Sequence, residues 1–133
     1  MQCPCHSGLS YAECCELYHI GKELPESALQ LMRSRYSAYV KKNADYIIKT
    51  THPDNPSFLA NREEWKESIL FFCNRTEFRN LKIIEVLEGN QESFVTFFAH
   101  LFQNGEDASF QESSRFYKVG DRWLYHSGNL ETL

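Results

Sequence analysis

The sequence predicts an α+β fold: helices in its first part, an antiparallel meander after them, and a small cysteine-rich knuckle ahead of both. Three observations carry this reading. Four of the five cysteines stand within the first fifteen residues. From Ser27 to Asn74 the apolar residues recur at helical spacing. From Phe78 onward the period is two, interrupted by Gly89-Asn90, Asn104-Gly105 and Gly120-Asp121, which are turn pairs.

The first segment carries most of the chemistry. Cys3, Cys5, Cys14 and Cys15 read Cys-x-Cys-x8-Cys-Cys. Two tight thiol pairs joined by a short loop suit a tetrahedral ion that prefers soft donors, and zinc takes thiolate readily. A disulfide framework is disfavoured, because a bridge between neighbours such as Cys14 and Cys15 is strained and closes no useful loop. Ser7-Gly8 supplies a turn, Pro4 stiffens the first pair, and Ser10 with Glu13 forms a capping box that opens a short helix bearing Cys14 and Cys15. The expected ligands are Cys3, Cys5, Cys14 and Cys15. His19, one helical turn beyond Cys15, is the alternative fourth donor. Four protein ligands leave no open position, so the expected zinc is structural. A segment this short cannot bury enough apolar surface to fold without its ion.

Composition narrows the function. The chain has 133 residues and a formal net charge of -4, which argues against a nucleic-acid binder carrying a basic field. No run approaches the about 20 apolar residues of a membrane span. The first residues lack a basic region followed by an apolar stretch, so the expected location is cytoplasmic. There, clustered thiols point to metal.

The helices follow in order. Ser27 with Gln30 opens one that runs to about Lys42, with Leu29, Met32, Tyr36, Tyr39 and Val40 as its apolar stripe and Arg33 and Arg35 flanking it. Asn43 caps a short helix through Ile47 and Ile48, which Thr51-His52-Pro53 ends. Asn61 with Glu64 opens a third, with Trp65, Ile69, Phe72 and Cys73 on its buried stripe. Cys73 reads as a small core residue.

The expected strands are 78–88, 92–103, 109–119 and 122–127. If the four residues Asn104 to Asp107 close a regular hairpin, Ala99 faces Glu112 and Phe97 faces Ser114; if Gly120-Asp121 closes the next, Phe116 faces Tyr125. One sheet face then carries Val95, Phe97, Ala99, Leu101, Phe110, Ser114, Phe116, Trp123 and Tyr125 with a single carboxylate, Glu112. A carboxylate on an apolar face has to be paired or neutralised. Arg33 or Arg35 is the expected partner. The functional alternative makes Glu112 a general acid or base in a pocket with Tyr36, Tyr39 or Tyr125 assisting. His100 falls on the opposite face, and His52 in a loop.

The segment Cys-Pro-Cys-x-Ser-Gly-x-x-Tyr-x-x-Cys-Cys, Cys3 to Cys15, resembles the SEC-C motif at the C-terminus of the SecA translocation ATPase. With Leu31 to Tyr39, Thr51-His52-Pro53, Glu112 to Phe116 and Trp123-Leu124-Tyr125, nearly the whole chain is similar to the YchJ-like family (UPF0225). In that family a SEC-C motif precedes an NTF2-like domain. His6 stands where the family's pattern has Gly. The resemblance implies zinc, a knuckle over residues 1–20, and an NTF2-like (cystatin-like) cone of helices on a curved antiparallel sheet over residues 21–133. It implies no known reaction. By analogy with SecA, the expected role is an interaction or adaptor module whose knuckle docks a protein partner, through His6, Leu9, Tyr11 and Tyr18, while the cone offers a small-molecule cleft. The competing expectation is an isomerase- or hydrolase-like enzyme using Glu112.

Overall fold

The computed structural model describes residues 1–131. After a turn of 3-10 helix at Tyr11–Glu13 come α1 (Cys15–His19), α2 (Ala28–Val40), α3 (Ala44–Lys49) and α4 (Arg62–Asn74). The strands follow: β1 (Thr76–Leu87), β2 (Glu92–Gln103), β3 (Glu106–Asp107), β4 (Phe110–Val119) and β5 (Arg122–Glu131). Each expected cap forms. The side chains of Ser10, Ser27, Asn43 and Asn61 accept from the backbone N–H three residues on, which satisfies donors that a helix start leaves free.

The helix α2 is buried on more than the expected stripe. Ala28, Leu31, Met32, Ser34, Arg35, Tyr36, Ser37 and Ala38 are all buried, whereas Leu29 and Val40 are only partly covered. Small polar residues at 34 and 37 allow the knuckle and α3 to close on its far side, while Met32 and Tyr36 face the sheet. A second cluster joins α2, α3 and α4 around Ile47, Trp65 and Cys73, which sits in the core as expected.

The sheet is antiparallel in the order β1-β2-β4-β5, with β3 extending the β2 hairpin. That hairpin is tighter than the sequence suggested. Asn104 and Gly105 both have positive φ, 53° and 78°, so two residues make the turn and Gln103 pairs with Glu106. The β2–β4 pairing is therefore displaced by two residues: Phe97 faces Glu112, Val95 faces Ser114 and Ala99 faces Phe110. A shift of two is one full pleat, so every side chain keeps its face. Phe116 faces Tyr125 as expected. His100 lies on the outer face between Phe98 and Phe102.

Register shifts bend the sheet. In β1 they fall between Phe78 and Asn80 and between Ile83 and Glu85, so Phe78, Leu81, Ile83 and Val86 pack on the core despite their broken alternation. In β5 the shift falls between Tyr125 and Ser127, which pair with Phe116 and Arg115. Beyond it the strand continues to Glu131, farther than expected, and Gly128 comes opposite Ser114. The bends curl the sheet around α2 and α4, leaving room between sheet and helices.

Candidate metal centre and cone cavity

The knuckle is folded by its own backbone. Cys3 N–H bonds Leu9 O at 2.8 Å, Gln2 bridges Ser10, and His6 N–H bonds Cys3 O at 3.2 Å. His6 takes a left-handed φ of 63° itself, so the turn survives without glycine; Gly8 supplies the second at 91°. The chain folds back and α1 begins at Cys15. The four sulfurs of Cys3, Cys5, Cys14 and Cys15 lie within 4.8 Å of one another. Cys5 to Cys14 is 3.7 Å and Cys14 to Cys15 is 3.9 Å. An ion bonded tetrahedrally at about 2.3 Å to each sulfur spaces them about 3.8 Å apart. The four cysteines can thus hold a metal ion.

Their ionisation is coupled. The neighbouring Cys15 thiol lowers the Cys5 thiol, against the opposing effect of burial. The hydrogen bond to Cys5, with burial, drives Cys15 far upward, and burial raises Cys14. Neighbouring thiols stabilise one thiolate and resist the next, and a bound dication removes that resistance. The small core of this segment consists of Cys3, Cys5 and Cys15 with Tyr11 and Cys14 beside them, little apolar surface for a fold of its own.

His19 is not brought to the sulfurs. Its Nδ1 accepts from the Tyr11 hydroxyl at 2.7 Å and its Nε2 donates to Ser34 O at 2.8 Å, so both nitrogens are engaged. Of the other expected knuckle contacts, Tyr11 is also covered by the Lys41 ammonium, Tyr18 packs against the second cluster, and His6 meets the edge of Tyr36 but stays exposed. Leu9 remains open, at 54% exposure.

One face of α2 grips this knuckle. Arg33 Nη1 donates to Cys5 O at 2.8 Å, Ser37 Oγ lies 3.8 Å from Cys3 Sγ, and Ser34 takes the His19 bond. The other face, with Met32, Arg35, Tyr36 and Tyr39, lines a cavity of about 340 Å³ between helices and sheet. Apolar walls include Phe72, Phe97 and Phe110, and Glu112 and Arg35 are its charged residues.

Neither arginine pairs with Glu112. Arg33 points to the knuckle. Arg35, 8% exposed, donates through Nη1 to Ile47 O, Thr50 Oγ1 and Thr51 Oγ1 at 3.0, 2.8 and 3.0 Å. Its guanidinium lies 4.7 Å from the centre of the Tyr125 ring. Its bonds go to acceptors at the end of α3 and not to a strand carboxylate across the cone. Glu112 Oε2 instead accepts from Ser114 Oγ and, at 3.0 Å, from Tyr125 Oη. Burial and then the Glu112 charge push the Tyr125 hydroxyl well above the ordinary range. Tyr36 bonds Asn80 O at 3.3 Å, and burial raises it to about 12. Tyr39 meets Phe72 edge to face. Of the three candidate tyrosines, Tyr125 alone meets the carboxylate.

Ser114 and Gly128 were not singled out in the sequence. Glu112-x-Ser114 on an alternating strand places both on one face, which was a usable signal for Ser114. Gly128 is brought in by the β5 register shift, which left no mark. A second cavity of about 310 Å³ shares Arg35, Tyr39 and Tyr125 with the first and adds Thr51, Asn55 and Ser127. His52 lines neither. It clusters with Asp54 and His126, but its Nδ1 already accepts from Asp54 N–H at 3.0 Å.

Comparison with known proteins agrees with this architecture. Residues 27–128 match the family described as YchJ, middle NTF2-like domain, and residues 2–17 match the SEC-C motif. A UPF0225 protein of Serratia proteamaculans strain 568 is 42% identical over 130 residues, covering 95% of this chain and 81% of the relative. The solution structure of a SEC-C motif containing protein from Rhodopseudomonas palustris is 30% identical with a TM-score of 0.85, covering 99% of this chain and 100% of that one. The crystal structure of another from Psychrobacter arcticus is 24% identical with a TM-score of 0.75, covering 98% and 83%. No helix among the described residues is long and apolar enough to cross a membrane.

Proposed function

The chain belongs to the UPF0225, YchJ-like family, and on that footing we propose that it is a zinc-braced small-molecule-binding protein whose ligand site is the cone cavity at Glu112. The observation that carries this is the state of the carboxylate. Both hydroxyl donors meet Oε2, and Oε1 has no partner among the described residues. Trp123 Nε1 is the one fully buried side-chain polar atom there without a partner, so Oε1 is not sealed in. An open, largely apolar cavity with a few convergent polar groups is the usual form of a ligand site, and about 340 Å³ lies at the lower end of the range for one.

The metal is the brace. Cys3, Cys5, Cys14 and Cys15 hold a zinc ion with no open position, and the knuckle so formed is clamped to the back of α2. Support for docking a protein partner through the knuckle narrows to His6 and Leu9, which stay exposed, since Tyr11 and Tyr18 turn toward the chain itself.

The enzyme reading keeps one specific support: no arginine locks Glu112, so a proton could pass to or from it. Two measurements test the proposal. Metal analysis of gently purified protein should give one zinc per chain. Small apolar fragments should shift the NMR signals of Phe97, Glu112 and Tyr125; shifts confined to other surfaces would refute the cone as the site. Exposure to a small-molecule extract of cells separates binding from turnover. A compound consumed by the wild type and spared by Glu112→Gln makes the protein an enzyme.

A further inference from the structure

We infer, resting on the reading of the cone as a ligand site, that its occupant is an apolar primary amine held as an ammonium ion against Oε1 of Glu112. A carboxylate offers about four acceptor positions. Ser114 and Tyr125 approach one oxygen only, and no cationic group lies within ion-pair distance of either oxygen among the described residues. A carboxylate in a largely apolar, partly covered site favours an opposite charge, and a ligand's ammonium supplies the one the protein does not.

The rival head group is a carboxylate bound to Arg35, the cavity's cation. Arg35 makes three hydrogen bonds to the protein against two for Glu112. All three run from its Nη1 to acceptors at the end of α3, and its guanidinium carbon lies 4.7 Å from the centre of the Tyr125 ring. Glu112 lies at the hydroxyl end of that same ring, so the two charges are held apart by Tyr125. The guanidinium repels an ammonium and limits the gain, but it does not reach the free oxygen. The surroundings of Glu112 suit a cation with an apolar body: Phe97 is its cross-strand neighbour, and Phe110 and Tyr125 complete an aromatic wall. The pocket is too small for a large ligand and has room for one ring and a short chain.

The test is an NMR titration of the zinc-loaded full chain with three probes sharing one body: 2-phenylethylamine, ethylbenzene and 3-phenylpropionate. The amine is expected to bind at least about tenfold more tightly than the other two, as a charge-assisted hydrogen bond allows. Glu112→Gln keeps an oxygen for Ser114 and Tyr125 and replaces the free oxygen by an NH2 group, so it should abolish that preference. Should ethylbenzene shift the cavity signals while the amine gains nothing, the amine assignment is overturned and the cone remains a ligand site. Tighter binding of phenylpropionate, or an amine preference that survives Glu112→Gln, overturns the assignment equally. If no probe moves the cavity signals, the assignment falls together with the reading beneath it.

Discussion

A β-carbon on Gly128 would run into the carboxylate of Glu112. Gly128 stands opposite Ser114 in the β4–β5 ladder, and a Cβ built there would also come within 2.6 Å of the Tyr125 hydroxyl. The position exists because β5 gains a residue between Tyr125 and Ser127 relative to β4. In unshifted pairing Ser127 would occupy that place. The bulge and the glycine together leave space for a hydrogen-bonded carboxylate inside a sheet face that is otherwise apolar.

Gly128→Ala should therefore destabilise the protein by about 1–3 kcal/mol, the usual range for a forced fit in a packed site. Truncating the carboxylate removes the nearest obstacle and leaves the Tyr125 hydroxyl as the remaining one. The double variant Gly128→Ala, Glu112→Ala should lose clearly less than the sum of the two single losses. Urea unfolding of the four proteins in a double-mutant cycle measures this, and additive losses would mean that the two positions do not meet.

Arg35 is a buried cation answered by a carbonyl and two hydroxyls, with no carboxylate within ion-pair distance among the described residues. Arg35→Met keeps an apolar stem but removes all three bonds and the stacking on Tyr125. The expected cost is about 2 kcal/mol, since bonds from a charged donor contribute more than neutral ones. Arg35→Lys should recover only part of it, because an ammonium cannot reproduce the planar fork over the ring. Denaturant midpoints of the three proteins decide the order.

The helices were legible in the sequence because their signals are local. Ser27, Asn43 and Asn61 each announce a start, and a cap bond reaches only three residues. The cysteine cluster was legible for the same reason, its loop being short. The inward face of the sheet was read correctly even though the β2–β4 register was off by two, because face depends on parity and register on the turn. What the sequence did not disclose depends on distant packing. Arg35 turned to Thr50 and Thr51, not to Glu112, and nothing in its neighbours along the chain decides between those partners. The β5 register shift and the role of Gly128 have no local signature either.

Stripping the metal should loosen more than the knuckle. Arg33, Ser34 and Ser37 connect α2 to Cys5, His19 and Cys3, so amide signals of residues 33–37 should move along with those of residues 1–20 when a chelator is added. Thiolate–zinc bonds are strong, and the loss should exceed about 3 kcal/mol of apparent stability. Cys14 and Cys15, both raised, carry protons at neutral pH in the metal-free protein. Each must release one on binding, so affinity should fall by at least about a hundredfold for each unit the pH is lowered near neutrality. A competition titration at two pH values checks the slope.

His19 should make stability depend on pH in a known direction. Burial is the main cause that lowers its pKa below 6.5, helped by the charges of Lys41 and Lys49; the bond to Ser34 O and the Cys5 charge oppose it. Tyr11 and Tyr46 pack on the ring and present no positive charge. Between the lowered folded value and 6.5 the unfolded chain binds the extra proton, so stability rises with pH across that window. The contribution is complete above 6.5 and lost as pH falls toward the folded value. In His19→Gln, where the amide can still donate to Ser34 O, this part of the slope should vanish. Urea unfolding of both zinc-loaded proteins from about pH 8 to about pH 5.5 makes the comparison, in the interval where a histidine changes charge. The shared knuckle cancels in the difference, and parallel curves would show that His19 is protonated as easily in the fold as out of it.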